Sequence, residues 1–312
     1  MIRFDEQVAI VTGAGRGLGR AYAMGLAARG ARVVVNDLGV DIRGHGETEP
    51  VADSVVREIA VTGGMASANR DDVGDPAGAR RVVAQALDLY GRLDVVINNA
   101  GILPFTGFHK MPAEEFEAVV RVHLLGTAFV TREAYVHMRE QDYGRILLTT
   151  SNAGLFGNIG CAHYGAAKLG VVGFMNSLKL EASRHHVLVN AIAPIAATRM
   201  TGQFVFKPEE FQRFAPEHIA PLALYLVSSQ CAVTGHLLEV APGYCARVEI
   251  VEAPGVRYPA EQPPEPEMFA ARYAEIADTA GARTYADTIA LMQHVFAGTG
   301  VALPPVQTTH GR

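Results

Sequence analysis

The chain has 312 residues, of which 49% are hydrophobic and 19% charged, and its formal net charge is −5. That length and apolar content can bury one large α/β core, whereas the acidic balance without a dense Lys/Arg run argues against a nucleic-acid-binding surface. No apolar stretch reaches the roughly 18 residues that a membrane-spanning helix requires. The chain has three cysteines without a C-x-x-C pair and a start too short for a secretory signal, so we expect a cytoplasmic protein without disulfides or a metal site.

The first predicted strand, Val8–Val11, leads into a glycine-rich turn and then a helix. The turn, Thr12–Gly19, has the pattern T-G-x-x-x-G-x-G. Its glycines permit a tight turn, and the following helix N-terminus offers free N–H groups to a pyrophosphate. A second strand, Val33–Asn36, ends at Asp37. An ordinary surface turn is the alternative, which the flanking strand, helix and acid disfavour.

Asp37 is the main indication of which dinucleotide binds. It lies eighteen residues after Gly19, where a carboxylate accepts both ribose hydroxyls of adenosine and repels a 2′-phosphate. We therefore expect NAD in preference to NADP. Arg16 is the conflicting signal, because it could pair with the 2′-phosphate of NADP. The turn residues expected to contact the cofactor are Gly13, Arg16, Gly17, Leu18 and Gly19.

Strands and helices alternate along the rest of the first 250 residues. Further strands are predicted near Ala66–Asn69, Leu93–Asn98, Ile146–Thr150, Val187–Ile192 and Leu237–Val240. Helices are predicted near Ala52–Thr62, Ala77–Tyr90, Ala113–Arg139, Ala162–Ser183 and Glu217–Ser228. This alternation predicts a Rossmann-type, doubly wound, parallel seven-stranded sheet with helices on both faces, and a ligand at the carboxyl ends of the strands. Residues 1–250 form the predicted NAD-binding and catalytic domain. Residues 251–312, rich in proline at first, form a C-terminal arm with two short helices.

The pattern Tyr164-x-x-x-Lys168 carries the predicted chemistry. Tyrosine is a weak acid with a reference pKa of about 10, and a lysine one helical turn later can favour the phenolate by its charge. Ser151, thirteen residues before Tyr164, can hold the substrate oxygen while the proton moves. A surface Tyr/Lys pair with an unrelated serine is the alternative. The preceding nucleotide-binding pattern favours the catalytic interpretation.

Together these motifs resemble the short-chain dehydrogenase/reductase family, over about Val8 to Val248. Besides the glycine turn and the Ser-Tyr-Lys set, the matching residues are Asp72, Val73, Asn98, Asn99, Ala100, Gly101, Pro194, Ile195 and Thr198. The resemblance implies that Asp72 contacts adenine and that the turn after the fourth strand borders the cofactor. It also implies that Ile195 and Thr198 hold the nicotinamide carboxamide and that Lys168 holds the nicotinamide ribose.

A narrower likeness is to the (3R)-hydroxyacyl-CoA dehydrogenase unit of peroxisomal multifunctional enzyme type 2, also called the 17β-hydroxysteroid dehydrogenase type 4 domain. It is carried by Val35–Gly39, Val122–Leu124, Tyr143–Ile146, Gly157–Gly160, Ala193–Pro194 and Ala220–Leu222. By this likeness the substrate is a 3-hydroxyacyl-CoA. A steroid alcohol, or the CoA thioester of a degraded sterol side chain, is the alternative. Two stretches expected to border the substrate, Pro104–Thr106 and Cys161–His163, depart from that unit.

One further departure concerns the mechanism. Many short-chain dehydrogenases carry an asparagine in the helix before the fifth strand, where this chain has His123. His123, or a water near its carbonyl, could continue a proton relay from Lys168. Alternatively, it is a helix-packing histidine that bonds a local carbonyl. Both interpretations stay open at this stage.

Apolar residues expected near the substrate also suit an ordinary core; they are Ile102, Leu103, Phe105, Leu155, Phe156, Ile159, Met200, Phe204 and Phe206. The candidates for binding CoA phosphates are Arg121, Arg199 and Lys207. The resemblance also implies that the two long helices pair between subunits, giving a homodimer or homotetramer. The C-terminal arm could cover a neighbouring subunit or the active site, or lie in solvent. A dinucleotide-sensing protein without turnover is the alternative of another class, which retention of Tyr164 and Lys168 disfavours.

Overall fold

The computed structural model describes residues 1–46, 50–201, 207, 210–259 and 262–297. The chain divides into two compact units, Met1–Val248 and Glu249–Arg312. The first contains all eight strands of one sheet, and they are β1 (Val8–Thr12), β2 (Arg32–Asn36), β3 (Met65–Asn69), β4 (Val95–Asn98), β5 (Gly144–Thr149), β6 (Val187–Pro194), β7 (Leu237–Ala241) and β8 (Tyr244–Val248). Their spatial order is β3-β2-β1-β4-β5-β6-β7-β8.

The seven predicted parallel strands are confirmed, and an eighth, unpredicted strand adds to them. β8 pairs antiparallel with β7, and Ala241 faces Tyr244 across a two-residue turn. Gly243 in that turn has a φ of 74°, which glycine adopts without strain. The Pro-Gly pair was the available sequence signal for this hairpin. The exposed side chains Tyr244 and Cys245 hide the usual strand pattern, because β8 lies at the sheet edge.

Helices cover both faces of the sheet, as predicted. In the first unit they are α1 (Gly17–Ala27), α2 (Val51–Val61), α3 (Pro76–Tyr90), α4 (Ala113–Val120), α5 (Thr127–Glu140), α6 (Asn152–Phe156), α7 (Ala162–Ala182) and α8 (Ala220–Leu226). Helices α1, α2 and α8 pack into one apolar core and α3, α5 and α7 into the other. The central strands β1, β2 and β4 are almost fully buried and rich in valine, as a parallel sheet covered on both faces requires.

Local sequence fixes where α3 begins and ends. The Asp75 carboxylate accepts hydrogen bonds from the backbone N–H groups of Ala77 and Gly78, and Pro76 occupies the first helical position. Gly91 ends the helix in the left-handed conformation, with a φ of 76°. This left-handed residue turns the chain from α3 towards β4.

The single helix predicted over Ala113–Arg139 contains an irregularity. A π-helical turn, Arg121–Gly126, lies between α4 and α5. The wider turn adds a residue to the helix repeat, and such turns are frequent at functional sites. It carries His123, which is buried at its centre. Among the described residues, no helix is long and apolar enough to cross a membrane.

The second unit has two helices, α9 (Pro266–Ala277) and α10 (Thr288–Val295). Both lie within residues 251–312, where the sequence predicts two short helices near Met268–Thr279 and Thr284–Phe296. An isolated antiparallel bridge joins Glu252 to Arg283. The Arg257 guanidinium donates to the carbonyls of His294 and Val295 at 2.8 Å, which satisfies the end of α10. The sequence also predicts a frayed end at Pro304 to Arg312, and these residues lie outside the described ones.

Candidate active site

The glycine turn is attached to the end of β4 by side-chain hydrogen bonds. Thr12 Oγ1 accepts from the backbone N–H groups of Asn99 and Ala100 at 3.0 and 3.1 Å. The Asn99 amide donates back to the carbonyls of Thr12 and Gly13. These bonds join the two strand ends on either side of the point where the sheet order reverses, which is where doubly wound folds bind ligands.

Glycine is required at three positions of the turn, for two different reasons. Gly13 and Gly17 have φ values of 63° and 54°, which favour glycine. A Cβ on Gly19 would lie 2.2 Å from the Gly13 carbonyl oxygen. The turn is thus closed tightly against the start of α1. No side chain caps that helix, so its first N–H groups remain available to an anion.

Asp37 is fixed by the backbone of two loops. Its Oδ2 accepts from the Gly15 N–H at 2.9 Å and its Oδ1 from the Gly39 N–H at 2.8 Å. The carboxylate and Arg16 both line a cleft of about 350 Å³. We name it the nucleotide cleft, because the glycine turn borders it. Asp72 and Val73 lie in the same lining, and Asp72 accepts from the Gly74 N–H at 2.7 Å.

A second, larger cleft of about 630 Å³ continues from the first, and we name it the reaction cleft. Residues that line both clefts are Leu18, Asn99, Gly101, Thr198 and Met200. Pro194 and Ile195 line the reaction cleft at the end of β6, and the Ile195 N–H donates to the Val240 carbonyl at 2.8 Å. All predicted cofactor residues thus lie along one continuous groove, except that Gly19 is buried within the turn itself.

Ser151, Tyr164 and Lys168 all line the reaction cleft. Ser151 follows β5 and caps α6, since its Oγ accepts from the Ala153 N–H at 3.2 Å. Tyr164 and Lys168 lie on α7, with Lys168 Nζ 5.6 Å from the centre of the Tyr164 ring. The structure therefore brings together the three side chains that the sequence predicted to cooperate.

Burial dominates the electrostatics of this set. It raises the pKa of Tyr164 to about 12, a shift that the hydrogen bond with Ser151 opposes. It lowers the pKa of Lys168 to about 7, because removal from water disfavours the ammonium. Lys168 Nζ donates to the Thr149 carbonyl at 2.6 Å. Burial thus favours the neutral phenol of Tyr164 and weakens the preference of Lys168 for its ammonium form.

His123 lies edge-on to the Tyr164 ring, with the ring centres 4.9 Å apart. Its Nε2 is 2.6 Å from the Ile102 carbonyl oxygen and 3.1 Å from the Ile102 N–H nitrogen. The shorter contact indicates that Nε2 donates to the carbonyl, which leaves Nδ1 as an acceptor. Nδ1 is buried without a hydrogen-bond partner among the described residues. Burial and the nearby Lys168 lower the pKa of His123 well below 6.5.

Sequence reasoning missed several polar groups around Tyr164. Thr149 supplies the carbonyl that accepts from Lys168, and Glu239 lines the reaction cleft from β7. Glu115 of α4 approaches His163 of α7, with 3.4 Å between Oε1 and Nε2. Only His163 had a signal, as part of the Cys161–His163 departure. The Glu115 contact is long-range, so no local pattern could have predicted it.

The apolar candidates divide between the clefts and the core. Leu103, Phe105, Phe156 and Met200 line the reaction cleft, whereas Ile102 lines the nucleotide cleft. Leu155 packs against the core, and Ile159 is 94% exposed. Phe204 and Phe206 lie outside the described residues. Of the basic candidates, Arg121 and Arg199 line the nucleotide cleft rather than the reaction cleft, and neither cleft includes Lys207. Over the described ranges, no His/Cys/Asp/Glu group is arranged to hold a metal ion.

The parallel sheet, with a glycine turn at the point where its strand order reverses, is typical of dinucleotide-binding proteins. The sequence profile of the short chain dehydrogenase family matches residues 7–207. The chain belongs to this family and is therefore an oxidoreductase that acts on CH–OH groups.

Similar proteins span bacteria and animals. A short-chain type dehydrogenase/reductase of Mycobacterium tuberculosis is 47% identical over 279 residues, 89% of this chain and 96% of that protein. The peroxisomal multifunctional enzyme type 2 of Mus musculus is 44% identical over 282 residues, 90% of this chain but 38% of that enzyme. The solved full-length structure of the Drosophila melanogaster enzyme of the same name gives a TM-score of 0.80 at 32% identity, over 95% of this chain and 50% of that chain. A hydroxyacyl-CoA dehydrogenase of M. tuberculosis is 37% identical over 262 residues, 80% of each chain.

Proposed function

We propose that this chain is an NAD-dependent dehydrogenase that interconverts a 3-hydroxyacyl-CoA and the corresponding 3-oxoacyl-CoA. The observation that carries the proposal is the grouping of Ser151, Tyr164 and Lys168 in a cleft continuous with the glycine turn. The relative named as a hydroxyacyl-CoA dehydrogenase supports the substrate class. A steroid alcohol, or a sterol-side-chain CoA thioester, is the alternative substrate.

The residues present fit a dinucleotide. The uncapped start of α1 and the tight glycine turn suit a pyrophosphate, and a Cβ on Gly13 would lie 2.7 Å from Ala100 Cα. Asp37, fixed by two backbone N–H groups, would accept the adenosine ribose hydroxyls and repel the 2′-phosphate of NADP. Arg16 in the same lining is the group that would favour NADP. The fixed carboxylate supports NAD.

In the oxidation direction, Ser151 and Tyr164 bind the carbinol oxygen. Ile195, Thr198 and Lys168 would hold the nicotinamide, which would supply a hydride acceptor and positive charge beside the carbinol carbon. Tyr164 must lose its proton to act as base, although burial raises its pKa. Protonated Lys168 opposes that effect by stabilising the phenolate. Tyr164 then takes the hydroxyl proton, and Lys168 passes it away from the site.

We also propose that His123 takes part in this proton transfer. Its Nδ1 is a buried acceptor without a partner among the described residues, so it could hold a water that takes the proton from Lys168, while burial keeps the ring itself neutral. In that case His123→Leu lowers kcat, and added imidazole restores part of the lost rate. Full activity of His123→Leu would instead support the helix-packing interpretation.

The chemistry of the reaction cleft supports a substrate whose acyl group ends in an uncharged thioester over a free hydroxy acid. Leu103, Phe105 and Phe156 give it an apolar side that suits an acyl chain. Lys168 and Glu239 are the formally charged side chains among its described lining residues. Because the Glu239 carboxylate repels a second carboxylate, a substrate whose acid is masked as a thioester binds better.

The deciding experiment follows NADH formation by the purified protein with NAD and a medium-chain (3R)-hydroxyacyl-CoA. The (3S) epimer, the free 3-hydroxy acid and the variant Tyr164→Phe serve as controls. We expect turnover of the (3R) thioester and a loss of about a thousandfold or more in kcat for Tyr164→Phe. The affinity for NAD should remain within about threefold, since the phenolic OH acts mainly in the transition state.

Two outcomes would redirect the proposal. Inactivity towards both epimers with intact NAD binding would point to sterol-derived alcohols and their CoA esters. Inactivity towards all secondary alcohols, with NAD still bound, would favour the dinucleotide-sensing protein.

Assembly and location are proposed on separate grounds. We propose a homodimer or homotetramer, which Leu169 and Leu180 support, because these α7 side chains are 48% and 44% exposed. Sedimentation of a monomer at micromolar concentration would contradict it.

A cytoplasmic location is supported by three free cysteines, since cytoplasmic proteins keep thiols reduced. Fluorescent tagging in the native host tests it.

A further inference from the structure

A buried histidine–glutamate pair lies directly beside Tyr164 and has no part in the proton transfer described above. His163 is 0% exposed, and its Nδ1 accepts a hydrogen bond of 2.8 Å from the backbone N–H of Tyr164. Because Nδ1 accepts, the neutral ring carries its proton on Nε2. That nitrogen faces Oε1 of Glu115 at 3.4 Å. Both atoms are buried, and neither has a hydrogen-bond partner among the described residues, so their contact is a close polar approach rather than a formed hydrogen bond.

This pair replaces a helix cap. α7 begins at Ala162, and the preceding residue, Cys161, makes no side-chain cap. The N–H of Tyr164 is one of the first amides of the helix, which lack partners within the helix itself. His163 supplies the missing acceptor, and Glu115 of α4 fixes its ring from the other side. The backbone position of Tyr164 therefore depends on the ring of its neighbour.

We infer that His163, oriented by Glu115, is a positioning residue that holds Tyr164 in its reactive place only while the imidazole is neutral. This inference rests on the proposed function, in which Tyr164 exchanges the proton with substrate. Protonation would put a hydrogen on Nδ1, and that donor would then face the Tyr164 N–H, which is also a donor. The hydrogen bond would be lost and the first turn of α7 would shift.

The surroundings of His163 set the direction of its titration. Burial lowers its pKa from the ordinary 6.5, and the Glu115 carboxylate and the backbone of Cys161 both oppose that shift. The π-helical turn contributes His123, α7 contributes Tyr164 and Lys168, and Cys161 precedes α7. Besides Glu115, α4 carries Glu114 and Glu117, whereas α6 carries no ionisable side chain. Removing the charge of Glu115 should therefore lower the pKa of His163 further.

Reduction of a 3-oxoacyl-CoA by NADH separates this effect from the titration of Tyr164. In that direction Tyr164 donates a proton, so its own protonation keeps the rate level at acid pH. We expect the wild-type kcat to fall as the pH decreases below 6.5, the ordinary histidine pKa. The kcat of His163→Asn should stay constant as the pH decreases below 6.5, because the amide oxygen of asparagine accepts the same hydrogen bond and does not titrate. At pH about 7.5, where His163 is neutral, the variant should retain at least about half of the wild-type kcat.

Three further variants test the inference. His163→Ala removes the acceptor and should lower kcat about fivefold at every pH, with KM changed less than about twofold. Glu115→Gln should move the acid-side fall to lower pH. His218→Asn, a matched change at an exposed histidine, should keep the wild-type profile. Two results would overturn the inference. One is a fall in kcat at acid pH that is the same in His163→Asn and wild type. The other is a wild-type kcat in His163→Ala.

A stability measurement tests the pair without any turnover. A histidine with a lowered pKa binds fewer protons folded than unfolded, so the free energy of unfolding decreases as the pH falls below 6.5. His163→Asn should lack this part of the decrease. If no thioester is turned over, the proposed function fails while this comparison still stands. Parallel stability curves for wild type and His163→Asn would reject the pair as a titrating contact, even if His163→Ala did not fold.

Discussion

The two halves of the groove are built from different parts of the chain. The nucleotide cleft is shaped largely by backbone: a glycine turn, free helix N–H groups and a carboxylate fixed by two loop amides. The reaction cleft is bordered by buried side chains that titrate, among them Lys168 and His123. In the nucleotide cleft, function depends on how closely two backbone segments can approach each other. In the reaction cleft, it depends on how far burial shifts the pKa of each side chain.

This difference determines which changes each half tolerates. An added methyl group is a severe change where backbone atoms are in contact, because neither side can rotate away. A changed ionisable group is severe where water is excluded, because the remaining charges lose their partner. The following predictions test the comparison, beginning with the largest effect.

Gly19→Ala should disable the nucleotide half. The new Cβ would lie 2.2 Å from the Gly13 oxygen and 2.6 Å from Asn99 Nδ2. Because this forces the turn open, we expect NAD affinity to fall more than about tenfold and the free energy of unfolding to fall by about 2 kcal/mol. Calorimetric titration with NAD and urea unfolding measure the two effects.

Gly173→Ala is the matched control. Gly173 also lies in a helix, but no described heavy atom outside its own part of the helix lies within 4 Å of an added Cβ. Gly173 lies on the α7 face that carries Leu169 and Leu180, so the added methyl group can change subunit pairing, but it lines neither cleft and should leave NAD affinity within about twofold. If both variants bound NAD alike, close backbone contact would not be what the turn requires.

The nucleotide half could be predicted well because its requirements are local in sequence. The glycine spacing from Gly13 to Gly19, and Asp37 after the next strand, each lie within one βαβ unit. Ser151, Tyr164 and Lys168 were predictable for a similar reason, since one strand end and one helix carry all three. The alternation of apolar runs also predicted the seven parallel strands.

The rest depended on tertiary contacts that leave no local pattern. The π-helical turn at Arg121–Gly126 interrupts a continuous helical sequence and buries His123. The contact between Glu115 and His163 joins two helices far apart in the chain. Strand β8 has exposed side chains, so periodicity did not reveal it. In each case burial or pairing, rather than propensity, decided the structure.

Asp37→Asn should change cofactor choice more than stability. The amide oxygen that replaces the carboxylate could still accept one of the two backbone hydrogen bonds, but the neutral side chain would no longer repel a 2′-phosphate. We expect the ratio of kcat/KM for NADP to that for NAD to rise about tenfold or more. Asp41→Asn, at another carboxylate of the same cleft, should leave the ratio within about twofold. An unchanged ratio in Asp37→Asn would shift the assignment to Arg16.

Lys168→Met tests the reaction half directly, through a stability difference that changes gradually with pH. Burial lowers the pKa of Lys168 from 10.5 to about 7, so between these values the unfolded chain binds more protons than the folded one. The wild-type free energy of unfolding therefore gains a contribution that rises with pH, by at most about 1.4 kcal/mol per unit. Lys168→Met should remove this rise and be relatively more stable below pH 7, where the wild type buries a charge. Urea unfolding at several pH values between about 6 and 10 measures the difference. Curves that stay parallel would mean that Lys168 keeps its ordinary pKa in the folded protein, and burial would then not distinguish the two halves.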